Sequence, residues 1–105
     1  ARLAADSHVL ALKSQRALAG ATRGDPPGPE GSSTKIHWSE AHQRLLELSM
    51  QLLGEDACLG VDAADTRAAS LTHAYLWSRA ETILAGTSEI QRNIIAEQML
   101  GLPKG

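Results

Sequence analysis

No α-helix can run through Arg23-Gly24-Asp25-Pro26-Pro27-Gly28-Pro29, and that one stretch decides how this chain can fold. Each proline lacks a backbone donor and its ring collides with the preceding helical turn, while glycine is costly to order. On either side the sequence is rich in Ala and Leu, which lose little entropy on entering a helix. β-Branched residues are few and phenylalanine is absent. The chain is therefore expected to be helices separated by hard stops, with this segment as the one long surface connection.

Four helical segments emerge between the stops. The first spans about Leu3 to Leu18, with apolar Ala5, Val9 and Leu12 beside Leu3 and Leu10. The second starts between Pro29 and Ser33, since proline is tolerated in a first turn, and runs to Leu53 before Gly54. Ala41, Leu45, Leu48 and Leu52 recur at i, i+4, i+7 and i+11, an apolar stripe of the kind that faces a core. A linker from Glu55 to Asp65 contains Gly60, and Asp65 or Thr66 is placed to cap a third helix through Leu84, with Leu71, Ala74 and Tyr75 inward. The fourth begins at Thr87 or Ser88, where Ser88 and Gln91 have capping-box spacing, and presents Ile90, Ile94, Ile95 and Met99. Short connections predict an all-α, up-and-down four-helix bundle, one domain across residues 1–105.

A chain of 105 residues buries only about 60–70% of its unfolded surface, so its core is modest. Aromatic residues make up just 3%, which removes the usual source of large buried area and suggests a piece made to pack against something else. A net charge of −2 gives no case for nucleic acid or an anionic membrane surface. No apolar run approaches the roughly 18 residues of a membrane span, so no membrane insertion is expected. A single cysteine, Cys58, excludes an internal disulfide and fits a reducing cytoplasm, where it reads as a small apolar residue. Ala1 to Leu3 already read as mid-helix without an initiating Met or a cap, as expected of a cut in a longer chain.

The chemistry concentrates at Ala85-Gly86-Thr87-Ser88-Glu89-Ile90-Gln91-Arg92-Asn93-Ile94-Ile95-Ala96-Glu97, closed by Gly101-Leu102-Pro103. Ala85 and Gly86 have no side chain beyond Cβ, so a flat ligand can approach the backbone. Thr87 and Ser88 offer hydroxyls, and the first N–H groups of the helix favour an anion, although Glu89 in the first turn opposes one. The histidines carry less. His37 and His42 stand five apart rather than four, and His37 with Glu40 reverses the Glu-x-x-His order of di-iron bundles, so no metal site is predicted. Trp38, Tyr75 and Trp77 read as packing or interface residues, and Glu81 as a surface carboxylate.

This long run, with Ser78-Arg79 before it and the Arg23 to Glu30 segment earlier, closely resembles the C-terminal helical domain of acyl-CoA dehydrogenases. The resemblance implies an FAD-dependent α,β-dehydrogenation of acyl-CoA thioesters. It puts Gly86 beside the substrate thioester carbonyl and Thr87, Ser88 and Glu89 against the flavin. A second family motif, Gln-x-x-Gly-Gly-x-Gly, contacts the FAD bound mainly by a neighbouring subunit. It becomes Gln51-Leu52-Leu53-Gly54-Glu55-Asp56-Ala57, keeping Gln51 and Gly54 while Glu55 and Ala57 replace glycines. The position that usually carries the catalytic carboxylate is Ala85, so no catalytic residue is assigned. The implied N-terminal helical and β domains are absent from these residues. The chain alone is expected to be inactive, working in a homo- or hetero-oligomer of family-like subunits. The alternative is a non-catalytic helical oligomerisation module derived from that family.

Overall fold

The computed structural model describes residues 1–59 and 66–104. It contains α1 (Arg2–Thr22), α2 (Glu30–Leu53), a short 3-10 helix (Gly54–Leu59), α3 (Thr66–Glu81) and α4 (Ser88–Gln98). The fold is all-α, as expected, and no strand occurs among the described residues. The boundaries move for identifiable reasons. α1 absorbs Gly20 and ends only where the Arg23 N–H turns back to the Ala19 and Gly20 carbonyls and Gly24 takes a φ of 80°. α3 stops at Glu81 because the N–H groups of Ile83 and Leu84 both close on the Ala80 carbonyl. Asp65 as a cap and Gly60 in the linker lie outside the described residues.

The architecture is centred on α2. Helices α1, α3 and α4 each pack on α2, and no pair of them packs on each other among the described residues. Polar ties cross from α2 to each of the other three α-helices. Asp6 on α1 meets His37 Nε2 at 3.0 Å and Arg44 Nη2 at 2.9 Å, and Lys13 donates to the Ser33 hydroxyl at 2.9 Å. On the α3 side, His42 Nδ1 lies 2.8 and 2.9 Å from the two Glu81 oxygens. Gln43 donates to the Ser78 carbonyl at 2.7 Å, and Arg79 pairs with Glu47 at 3.1 Å. Arg92 on α4 reaches Glu40 at 2.6 Å. Small residues allow the close approach. Ser39 and Ser78 are wholly buried, each returning its hydroxyl to its own helix at Ile36 and Tyr75.

The expected core stripe on α2 is the main departure. Ala41 is buried, but Leu45, Leu48 and Leu52 are exposed, Leu52 to 80%. On a 100° helical wheel these three share one side with Trp38, while His37 and Arg44 face α1 and His42, Gln43 and Leu46 face α3. Val9 and Leu12 on α1, Ile90 on α4 and Met99 just past its end are exposed as well, while Leu3, Leu10, Leu71, Ala74, Tyr75, Ile94 and Ile95 are half-buried. Among the described residues the buried apolar side chains are Ala41, Leu46 and Ala68. The radius of gyration of 17.0 Å exceeds the about 13 Å expected of a compact chain this long.

Asp6 sits 17% exposed between the His37 ring and the Arg44 guanidinium, and the His37 hydrogen bond, then Arg44, hold its carboxyl below the usual carboxylate range against the opposing effect of burial. A depressed carboxylate contributes its stability above its unfolded value and loses it as pH falls through the folded one. The α1 amides should therefore lose exchange protection below about pH 4 while α3 keeps its own, and Asp6→Asn should remove that acid step. Exchange of α1 and α3 moving in step with pH would show that Asp6 does not hold α1.

Candidate functional site

The turn between α3 and α4 is unlike the other connections. After the Ala80 closure the backbone enters Ala85 at φ 56° and Gly86 at φ 91°, then Thr87 in extended conformation. Glycine suits such a conformation. Alanine does not, because its Cβ crowds the following carbonyl at a cost of about 1–2 kcal/mol. Two side chains hold this strained pair. Gln91 Nε2 donates to the Ala85 carbonyl at 2.8 Å, and Lys35 Nζ on α2 donates to the Gly86 carbonyl at 2.8 Å. The φ of Gly86 favours glycine, and a Cβ built there would come within 2.7 Å of Gln91 Nε2 and push that flexible side-chain end off the Ala85 carbonyl.

The helix start differs from the capping box expected at Ser88. Thr87 is the cap, its hydroxyl accepting from the Ile90 N–H at 3.3 Å. Gln91 falls one position too late for the reciprocal contact and turns back to Ala85 instead. The Ser88 N–H donates to the Thr82 carbonyl at 3.1 Å. Glu89 is held below the usual carboxylate range by its own backbone N–H, then by the Thr87 hydroxyl. The helix end thus has its first N–H groups largely engaged, and the anion-binding capacity read from the sequence is reduced there. What remains without a partner is the buried Ser88 hydroxyl and, among the described residues, the N–H groups of Ala85, Gly86 and Thr87.

Glu81, expected at the surface, is buried with both oxygens on His42, whose ring stacks on Trp38 at 5.8 Å. It ties α3 to α2 and is not poised to take a proton at the turn. His37 is likewise engaged with Asp6, and among the described residues no three His, Cys, Asp or Glu side chains gather as metal ligands. Trp38 and Trp77, read as packing or interface residues, are 46% and 60% exposed and so are not packed inside this chain, and Cys58 is exposed too. No described helix is long and apolar enough to cross a membrane.

Gln51 and Gly54 stand elsewhere. Gln51 is exposed near the end of α2, and Gly54 ends the helix at φ 58° with its N–H on the Met50 carbonyl. Lys35 and Gln51 are sixteen residues apart on one helix, which separates them by about 24 Å. The chain therefore does not bring Gln51 and Gly54 together with Gly86, Thr87, Ser88 and Glu89. Lys35 is the site residue that sequence reasoning missed, because a lysine in the first half of an amphipathic helix gives no sign that its ammonium crosses to a turn 51 residues later.

Residues 1–100 match the family described as acyl-CoA dehydrogenase, C-terminal domain. The chain is 40% identical over 97 residues to acyl-CoA dehydrogenase IpdE1 of Mycobacterium tuberculosis and 39% identical over 94 residues to acyl-CoA dehydrogenase IpdE1 of Mycolicibacterium smegmatis. Each alignment takes in 89% of this chain, which spans 24% and 23% of the length of those relatives. No solved structure matches it.

The αL conformation of Ala85 is directly testable. Ala85→Gly should raise stability to chemical denaturation by roughly 0.5–1 kcal/mol, since relief of the Cβ clash outweighs the added freedom of the unfolded chain. Equal or lower stability would show that Ala85 is unstrained.

Proposed function

Because the chain belongs to the acyl-CoA dehydrogenase family, matching its C-terminal domain, we propose that it serves FAD-dependent α,β-dehydrogenation of acyl-CoA thioesters as one component of a larger assembly. The observation that carries this reading is the turn at Ala85 and Gly86, where two residues without long side chains leave unpaired N–H groups beside an unpaired Ser88 hydroxyl. Such donors fit the carbonyl-rich edge of a flavin and the oxygen of a thioester. In this assignment Gly86 meets the substrate, while Thr87, Ser88 and Glu89 border the cofactor. FAD, when bound, supplies the acceptor for a hydride from the β-carbon.

The residues of this chain bind and orient without supplying the base. Proton removal from the α-carbon needs a group within hydrogen-bond reach, and the Ala85 methyl cannot serve. Glu89 is occupied by its own N–H and Thr87, and Glu81 by His42. The base therefore comes from outside these residues. At the second motif the fit to FAD is poor, because Glu55 brings a carboxylate to a position that would approach phosphate. Gln51 and Gly54 are assigned only a contact with the cofactor of a neighbouring subunit, consistent with their distance from the turn.

The exposed apolar stripe of Leu45, Leu48 and Leu52 on α2, and the separately exposed Leu76, Trp77, Ile83 and Leu84, support assembly into a homo- or hetero-oligomer, because exposed apolar surface promotes association. We assign the cytoplasm as its compartment, from its lone cysteine. The alanine at position 85 also supports a second reading, a non-catalytic oligomerisation module. A yellow preparation with flavin absorbance favours the first reading; a colourless, stable oligomer favours the second.

Two outcomes are expected. The isolated chain should not oxidise any acyl-CoA with a dye acceptor, even with added FAD, and turnover above a no-protein control would contradict the missing base. In an assembly that holds flavin, Gly86→Val should release the cofactor with little loss of helical circular dichroism. Full flavin retention in that variant would remove the turn from the site.

A further inference from the structure

Arg2, Asp6 and Lys13 follow the i, i+4, i+11 spacing that sets three side chains in one narrow stripe of α1, and that stripe meets α2. An open cleft of about 470 Å³ runs between the stripe, α2 and α4. Four cations line it, Arg2, Lys13, Arg44 and Arg92, against two carboxylates, Asp6 and Glu40. With His37 counted as neutral, the cleft carries an excess of two positive charges on a chain whose net charge is −2. Both carboxylates are already engaged, Asp6 with His37 and Arg44, Glu40 with Arg92. The other cations are not neutralised. Lys13 gives its ammonium to the uncharged Ser33 hydroxyl and carbonyl, and Arg2 has neither hydrogen bond nor ion pair among the described residues. Arg44 donates from Nη2 to Asp6 and keeps a buried Nε–H without a partner. Cations crowded along one cleft repel one another, and unmade donors among them are costly, so added negative charge is favoured there.

The lining narrows the class of anion. Ile36 on α2 and Ile95 on α4 add apolar surface to the same cleft. Arg44 meets α1 at Asp6 and Ser33 meets it at Lys13, so the guanidinium and ammonium ends lie about 10 Å apart along that helix. A charge-assisted hydrogen bond takes about 3 Å at each end, which leaves the length of a short carbon chain. The volume also falls within the roughly 300–1,000 Å³ of small-molecule sites. We propose that this cleft binds a small organic dianion, one acidic group on Arg2 and Arg44 and the other on Lys13, with its carbon chain against Ile36 and Ile95. The site is independent of the dehydrogenase reading, and no residue of the Ala85 turn takes part. Helices α1 and α4 do not pack on each other among the described residues, so an occupied cleft braces one to the other across α2.

Adipate and hexanoate share one chain length and differ in the second carboxylate. Titrating each into the 15N-labelled chain at matched ionic strength therefore separates a two-ended site from loose charge attraction. Adipate should shift the amide resonances of Lys13, Ser33, Glu40 and Arg92 saturably. It should bind about fivefold tighter than hexanoate, the effect of one further exposed ion pair. Lys13→Gln should erase that advantage, whereas Arg16→Gln, which removes an exposed α1 cation outside the cleft, should keep it. Equal affinity for the two acids overturns the proposal, as does an advantage that survives Lys13→Gln or is lost in Arg16→Gln. Shifts reproduced by sodium chloride alone overturn it as well. In a second measurement, saturating adipate should slow amide exchange in α1 and α4 and leave α3 unchanged. Slowing in α3 alone, or in no helix, overturns the bracing of α1 to α4 and with it the two-ended seating.

Discussion

Every helix of this chain depends on α2, and much of that dependence runs through hydrogen bonds rather than apolar contact. Asp6 on His37 and Arg44 fixes α1, Glu81 on His42 fixes the end of α3, and Arg92 on Glu40 fixes α4. Geometry makes this arrangement specific. A hydrophobic stripe tolerates sliding by a turn, but a carboxylate on an imidazole and a guanidinium does not, because an unmade buried bond costs its full desolvation. The same feature makes the chain weakly self-sufficient. Among the described residues, the three buried apolar side chains cannot supply the transfer free energy of an ordinary core, and Leu45, Leu48 and Leu52, which could add to it, are exposed.

That hub explains why the turn at Ala85 is rigid enough to matter. Glu81 anchors the last turn of α3 just before it, Lys35 holds its middle, and Gln91 and Thr87 hold its far end from α4. A non-glycine residue with positive φ persists only where its surroundings over-determine it. Here the surroundings are side chains of α2 and α4, so a disturbance of α2 far from the turn in sequence reaches it directly.

Helix positions were legible in the sequence because the stops are chemical: Pro26 and Pro27 lack donors, and Gly54 and Gly86 take backbone angles other residues avoid. The family and the all-α fold were legible in the Ala85 to Glu97 run. The direction of α2 was not. Its cleanest apolar stripe points away from the other helices, because periodicity reports a face and does not say whether that face meets this chain or another surface. The polar ties were hidden for a related reason. His42 and Glu81 lie 39 residues apart, and a histidine among charged neighbours looks solvated until its partner is placed. The cap at Thr87 was missed by one residue, since Thr and Ser cap alike and only the backbone turn selects between them.

The proposed flavin contact is the segment from Leu84 to Arg92, held by α2. Hydrogen–deuterium exchange compared between flavin-loaded and flavin-stripped assembly tests it. Peptides covering residues 84–92 should gain protection on loading, with the α1 peptides unchanged. Protection gained only around His37 to Arg44, or nowhere in this chain, would contradict it.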